Sequence, residues 1–171
     1  MSRVIITPAS SPGTRQLSIR LDTPDSSGNG YPALSTNNGF TVVRRVVPAF
    51  TKLVDGTWEG SIRIPQDYTS SPVIVCSFVA NATTGAIRVQ VSDVVVASAV
   101  SEDTAYTAET AANTTVPATA KLRFDISTTL TTTPVAGSTL NVKIARVGTN
   151  AGDTLAVDAL LWECIFQYTG S

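Results

Sequence analysis

Histidine is missing altogether from the 171 residues, and methionine occurs once. Without imidazole there is no Ser–His–Asp or Cys–His catalysis, the commonest general base is gone, and most zinc sites lose a ligand. Charge is scarce as well: 15% of residues are charged, against roughly 25% in an average globular domain. The formal net charge is −1 and Arg44–Arg45 is the only adjacent basic pair, too little to track a phosphate backbone, so nucleic acid is not an expected partner. No apolar run approaches the roughly 18 residues a membrane span requires, and no membrane partner is expected. The first ten residues, MSRVIITPAS, lack the long apolar core of a signal peptide, which predicts a chain made and held in a cytoplasm until lysis or assembly. The two cysteines, Cys76 and Cys164, sit inside apolar stretches without a basic neighbour to lower their pKa. They read as free, buried small hydrophobes rather than as a disulfide or metal pair. No phosphate-binding or dinucleotide fingerprint occurs, and no cofactor is expected. Asn81–Ala82–Thr83 and Asn113–Thr114–Thr115 match the glycosylation triplet, a chance match in a Thr-rich chain with no secretory signal.

What fills the space is Thr, Ser, Ala and Val, with nine Pro and 11 Gly spread throughout. Branched side chains favour a pleated surface, and the scattered Pro and Gly leave little room for long helices. The chain is predicted to be all-β, an antiparallel β-sandwich of jelly-roll type. At this length it forms one domain or one domain plus an arm.

Residues 1–54 read as an N-terminal arm and 55–171 as the sandwich. In the arm, strands are predicted at Arg3–Thr7 and Gln16–Leu21, divided by the turn-rich PASSPGT. A long Asp, Ser, Gly, Asn and Pro connection covers 22–39, and a Val-rich strand follows at Thr41–Pro48. Two readings stand for this region: an extended arm that finds its partners on a neighbouring subunit, or an ordinary edge hairpin. Val4, Ile5, Ile6, Leu17, Ile19 and Leu21 are its candidate interaction residues.

From residue 55 the rhythm is regular, with strands predicted at 58–64, 72–80, 86–97, 120–130, 138–147 and 156–168. Trp58, Gly60, Ile62 and Ile64 alternate with Glu59, Ser61 and Arg63, and Pro65 ends that strand. Leu122, Phe124 and Ile126 oppose Lys121, Arg123 and Asp125, while Leu140, Val142 and Ile144 oppose Asn141, Lys143 and Ala145. In the last strand Trp162, Cys164, Phe166 and Tyr168 are expected on one face and Leu161 and Ile165 on the other. Trp58, Phe78, Phe124, Trp162 and Phe166 are the expected aromatic core.

One segment breaks the pattern. Residues 101–120 form an Ala- and Thr-rich excursion with three charges and a single aromatic, Tyr106. A long loop in a compact domain is either functional or solvated, and a short helical turn is expected near 104–112. Tyr106 is its candidate contact residue.

A search for chemistry yields little. Glu59 and Glu163 each directly follow a Trp, as in a sugar site, but alternation should send each acid to the face opposite its ring. Asp153 and Asp158 lie five apart, a weak calcium signal. Tyr31, Tyr68 and Tyr106 fall in turns or loops, where a glycan or protein contact would use them, yet three scattered tyrosines define no site. The chain is not expected to be an enzyme.

The run WEGSIRIPQDYTSSPVIVCSFVANATTGAIRVQV, with its Trp–x–Gly–x–Ile–x–Ile–Pro opening, resembles a β-sandwich unit of structural proteins in tailed bacteriophages and prophages. ARVGTNAGDTLAVDALLWECIFQY is similar to the last two strands of that unit. The resemblance spans residues 55–171 and leaves 1–54 unmatched. It implies a virion structural protein assembled in the host cytoplasm, most like trimeric capsid decoration (cement) proteins, with itself as homotrimer and a major capsid protein as partners. The alternative it leaves open is a fibre, spike or tail-tip module that binds host glycans. It supplies no catalytic residue, metal or cofactor. A free-standing carbohydrate-binding domain or jelly-roll hydrolase is a weaker third reading.

Overall fold

The computed structural model describes residues 13–24, 33–35, 47–52, 55–98, 101 and 103–171. The expected strand at Arg3–Thr7 and residues 41–46 of the one expected at Thr41–Pro48, together with Val4, Ile5, Ile6 and Tyr31, lie outside the described residues. In chain order the strands are β1 (Gly13–Ser18), β2 (Arg20–Pro24), β3 (Ala33–Ser35), β4 (Val47–Phe50), β5 (Gly56–Arg63), β6 (Tyr68–Ala80), β7 (Ala86–Val96), β8 (Thr107–Ala108), β9 (Ala112–Thr115), β10 (Arg123–Thr129), β11 (Thr139–Arg146) and β12 (Ala159–Gly170). No helix occurs among the described residues, and the turn expected near 104–112 is instead β8 and the start of β9.

The strands form two antiparallel sheets packed face to face. One runs β10-β6-β12-β4-β3, the other β2-β5-β11-β7-β8, with β9 also on the β7 edge. Consecutive long strands alternate between sheets, and the pairs β4–β12, β5–β11, β6–β10 and β7–β9 are nested like the two arms of one long hairpin. Rolling that hairpin on itself is the jelly-roll plan, so the predicted all-β sandwich is the observed fold. The hairpin's tip is the segment between β7 and β9.

Sequence alternation explains the layers. Leu140, Val142 and Ile144 of β11 face Ile62, Gly60 and Trp58 of β5 across the ladder, and all three β11 side chains are sealed from water. The opposite sheet contributes Phe78, Phe124, Ile126, Cys76, Cys164 and Phe166 to the same core. Burying each such side chain contributes on the order of 1.5–3 kcal/mol, which offsets the entropy of ordering the strands.

Three local departures correct the sequence reading. A register shift between Leu161 and Glu163 inserts an extra residue into β12 against β6. Leu161 therefore joins the core, while Trp162 leaves it and packs half-buried on Leu160 and Ala49 outside. A β-bulge resets side-chain parity, and period-2 reading has no means of seeing one. Leu122 is 52% exposed because β10 starts only at Arg123, after a turn in which Lys121 has φ 66°. Tyr68, read as a turn residue, opens β6 and stacks on Phe166 and Tyr168 with ring centroids 6.1 and 5.9 Å away.

The region read as an arm enters the sandwich itself. β1 pairs with β12 in one sheet and β2 pairs with β5 in the other. The chain crosses between them at Ile19, whose amide donates to the Cys164 carbonyl at 2.7 Å. The described part of 13–24 is thus one strand that closes a side of the sandwich by serving both sheets in turn.

Candidate functional site

The candidate interaction residues separate on inspection. Ile19 is 5% exposed and belongs to the core, so its partners are intramolecular. Leu17 lies opposite Phe166 but remains 37% exposed at the sheet edge. Leu21 pairs with Gly60. Tyr106 is half-buried in the first part of the excursion, with the Lys143 ammonium over its ring, 4.8 Å from ring centroid to nitrogen. Such a contact is worth about 0.5–1 kcal/mol at an exposed site. Val4, Ile5 and Ile6 lie outside the described residues, and nothing unites the remaining four into one patch.

The excursion at 101–120 folds back on the sandwich. β8 pairs with Ser92–Asp93 and β9 with Ala86–Val89, extending the β7 edge. Between them Glu109 is buried, and its carboxylate accepts from the Thr131 amide and hydroxyl. That bond ties the hairpin tip to the β10–β11 connection across the open side of the sandwich.

Beside this tie lies Asp93. Its inward position continues the row Ile87, Val89 and Val91, and the residue is fully buried. Neither carboxylate oxygen has a donor in bonding geometry. Burial pushes its pKa from 3.8 to about 6, with Thr132 opposing the rise and the neighbouring Glu109 adding to it. Burial first, and then the neighbouring acid, therefore ease protonation of Asp93 relative to a free carboxyl.

A second buried charge is fully compensated. Arg146, the inward residue after Ile144 on β11, forms a two-pronged pair with Asp153 through Nε at 2.9 Å and Nη2 at 2.7 Å. Its remaining donors reach the carbonyls of Phe50, Val157 and Leu155 at 3.1, 3.0 and 2.7 Å. All five guanidinium donors are thereby used, and the connection from β11 to β12 is pinned to β4. The weak calcium reading fails here. Asp153 is committed to Arg146, and Asp158 accepts from the Lys52 amide at 3.1 Å.

The two Trp–Glu neighbours are arranged differently. Trp58 is core, with its indole nitrogen sealed from any acceptor, while Glu59 on the outer face pairs with Lys143 at 3.3 Å. Glu163 pairs with Arg123 at 3.1 Å. Because of the bulge, Trp162 and Glu163 both lie outside the core, contrary to the opposite-face expectation.

A shallow hollow of about 210 Å³ is lined by Arg63, Val96, Ala97, Ser98, Gly137 and Thr139. It offers one cation and two hydroxyls but no carboxylate. Among the described residues, no group of three His, Cys, Asp or Glu side chains could hold a metal, and no helix is long and apolar enough to cross a membrane.

The broad outer face of the β10-β6-β12 sheet is charge-poor. Across neighbouring strands one row reads Ser127, Val75, Ile165, Ser18 and the next Thr129, Val73, Gln167, Gln16. The charges on this face are already engaged, Arg123 with Glu163 and Asp125 with the Ser77 hydroxyl.

Asp93 and Arg146 were missed by the sequence reading, although both sit at inward parity in otherwise apolar rows. The signal was a charged residue where alternation demands a core residue. Compared with known proteins, the chain matches no family model, and no curated protein sequence matches it.

Proposed function

We propose that this protein is a non-enzymatic structural subunit of a phage virion, a capsid decoration protein that docks on other virion protein and works by area burial. The observation that carries the reading is the outer face just described: two adjacent rows of Ser, Thr, Gln, Val and Ile with no free charge. A lone soluble domain usually surrounds itself with solvating charge, and depletion of charge is the compositional mark of a protein interface. The resemblance of the segment from Trp58 onward to phage sandwich units supplies the setting. A trimer of such subunits bridging neighbouring capsomers raises the free energy of opening the shell by mass action.

Tyrosine placement weakens the glycan-binding alternative. Of the candidate tyrosines within the described residues, half-buried Tyr68 packs on Phe166 and Tyr168 and Tyr106 on Lys143, so neither presents a free ring for a sugar.

Light scattering coupled to size exclusion, followed by co-sedimentation with particles of the virus whose genome encodes the chain, tests the proposal. A trimer that pellets with heads supports it. A monomer that stays in the supernatant at high concentration rejects it. Replacing Val75 and Ile165 with Glu should abolish pelleting while leaving the circular dichroism unchanged.

A further inference from the structure

Cys76 on β6 and Cys164 on β12 stand directly opposite one another in the antiparallel register. Both are free, and both belong to the core between the sheets. Their pairing depends on the bulge. Counting on from Leu161 opposite Phe78, an unbroken ladder would put Glu163 opposite Cys76; the extra residue places Cys164 there instead.

The direction of one carbonyl fixes the kind of pair. In an antiparallel strand a residue's N–H and C=O point to the same edge. The Cys164 carbonyl accepts from the Ile19 amide, on the edge of β12 away from β6. Cys76 and Cys164 are therefore a non-hydrogen-bonded pair, the kind in which Cα atoms lie about 4.5 Å apart and side chains approach most closely. That falls within the roughly 4.4–6.8 Å that a disulfide spans. The facing Cys164 side chain and then burial hold the Cys76 thiol well above its ordinary range, as expected of thiols in contact inside a core.

We propose that Cys76 and Cys164 are a latent cross-strand disulfide site whose co-reactant is a small-molecule disulfide. One cysteine thiolate attacks a sulfur of the oxidant and releases one thiol, leaving a mixed disulfide. The second cysteine attacks the protein sulfur of that mixed disulfide and releases the other thiol. Two protein thiols are oxidised to one S–S bond, and the oxidant is reduced to two thiols. The bond ties together the two central strands of the β10-β6-β12 sheet across the long intervening chain, the arrangement in which a crosslink most restricts the unfolded state. Both thiols are sealed, so closure occurs during folding or through transient opening of the β1–β12 edge, and the native reduced protein reacts slowly. None of this depends on the proposed function.

The full chain is refolded with oxidised glutathione or with dithiothreitol, then unfolded and alkylated, and intact mass and peptide mass are read. The expected product is a monomer lighter by two hydrogens, with no alkylation and a crosslinked peptide joining residues 76 and 164. Its unfolding equilibrium shifts toward the fold by roughly 30-fold or more over the reduced form. Two alkylated thiols, glutathione adducts, or crosslinks between chains would overturn the proposal. If refolding fails, native protein is held with excess oxidised glutathione in sub-denaturing urea and read the same way. The Cys76→Ala and Cys164→Ala variants, which retain one thiol each, should lose both the mass change and the added stability.

Discussion

Asp93 and Arg146 occupy equivalent inward positions on neighbouring strands and are tolerated for opposite reasons. Arg146 has a partner for every donor, whereas Asp93 has a donor for neither oxygen. Removing one partner of a buried pair leaves an uncompensated charge, so Arg146→Met should destabilise by about 3–5 kcal/mol in urea unfolding, and replacing Asp153 with Asn as well should recover part of that loss. Asp93 gives a pH effect of definite sign. Its folded value of about 6 lies above the unfolded 3.8, so its favourable contribution is full below pH 4 and is lost as pH rises through 6. The bound on that loss is about 3 kcal/mol, less wherever water reaches the pair. Unfolding free energies measured from pH 4 to 8 should fall with pH for the native chain relative to Asp93→Asn. Parallel profiles for the two proteins would show that Asp93 does not titrate in this way.

At the scale of elements, β1 and β2 behave as one strand shared by two sheets, and Ile19 is where it turns inward. Ile19→Ala should cost about 2–4 kcal/mol, whereas Leu17→Ala, two residues away but 37% exposed, should cost less than about 1 kcal/mol. A truncation meant to spare the sandwich must therefore stop before Gly13, because removing residues 1–21 deletes β1 and a core residue. Gly85 enters β7 with φ +103°, and a Cβ there would meet the Leu155 Cα and the Thr154 carbonyl at 3.0 Å. Gly85→Ala should cost about 2 kcal/mol or more and loosen the β11–β12 connection, seen as faster amide exchange at Thr154 and Leu155. The alternating runs made β5, β6, β7, β10, β11 and β12 legible in the sequence to within a few residues. The bulge at Trp162 was illegible because one inserted residue leaves no mark in a period-2 pattern. β8 and β9 were illegible because short, polar edge strands follow their neighbour's backbone rather than their own apolar code.

For the whole molecule, the nested pairs β4–β12, β5–β11, β6–β10 and β7–β9 expose one broad outer face of each sheet and close one side with the β1–β2 strand. The face rich in Ser, Thr, Gln and Val was only partly legible: low total charge pointed to protein contact, but which rows lie side by side depends on register. The site residues expected in the arm were inferred from hydrophobicity alone, which marks Ile19 equally well as core. The proposed decoration of a phage head is best examined by cryo-electron microscopy of particles isolated from cells that produce this chain. Jelly-roll density is expected on the head lattice, with the β10-β6-β12 face turned toward neighbouring protein. Density confined to the tail, or that face turned to solvent in every copy, would contradict it.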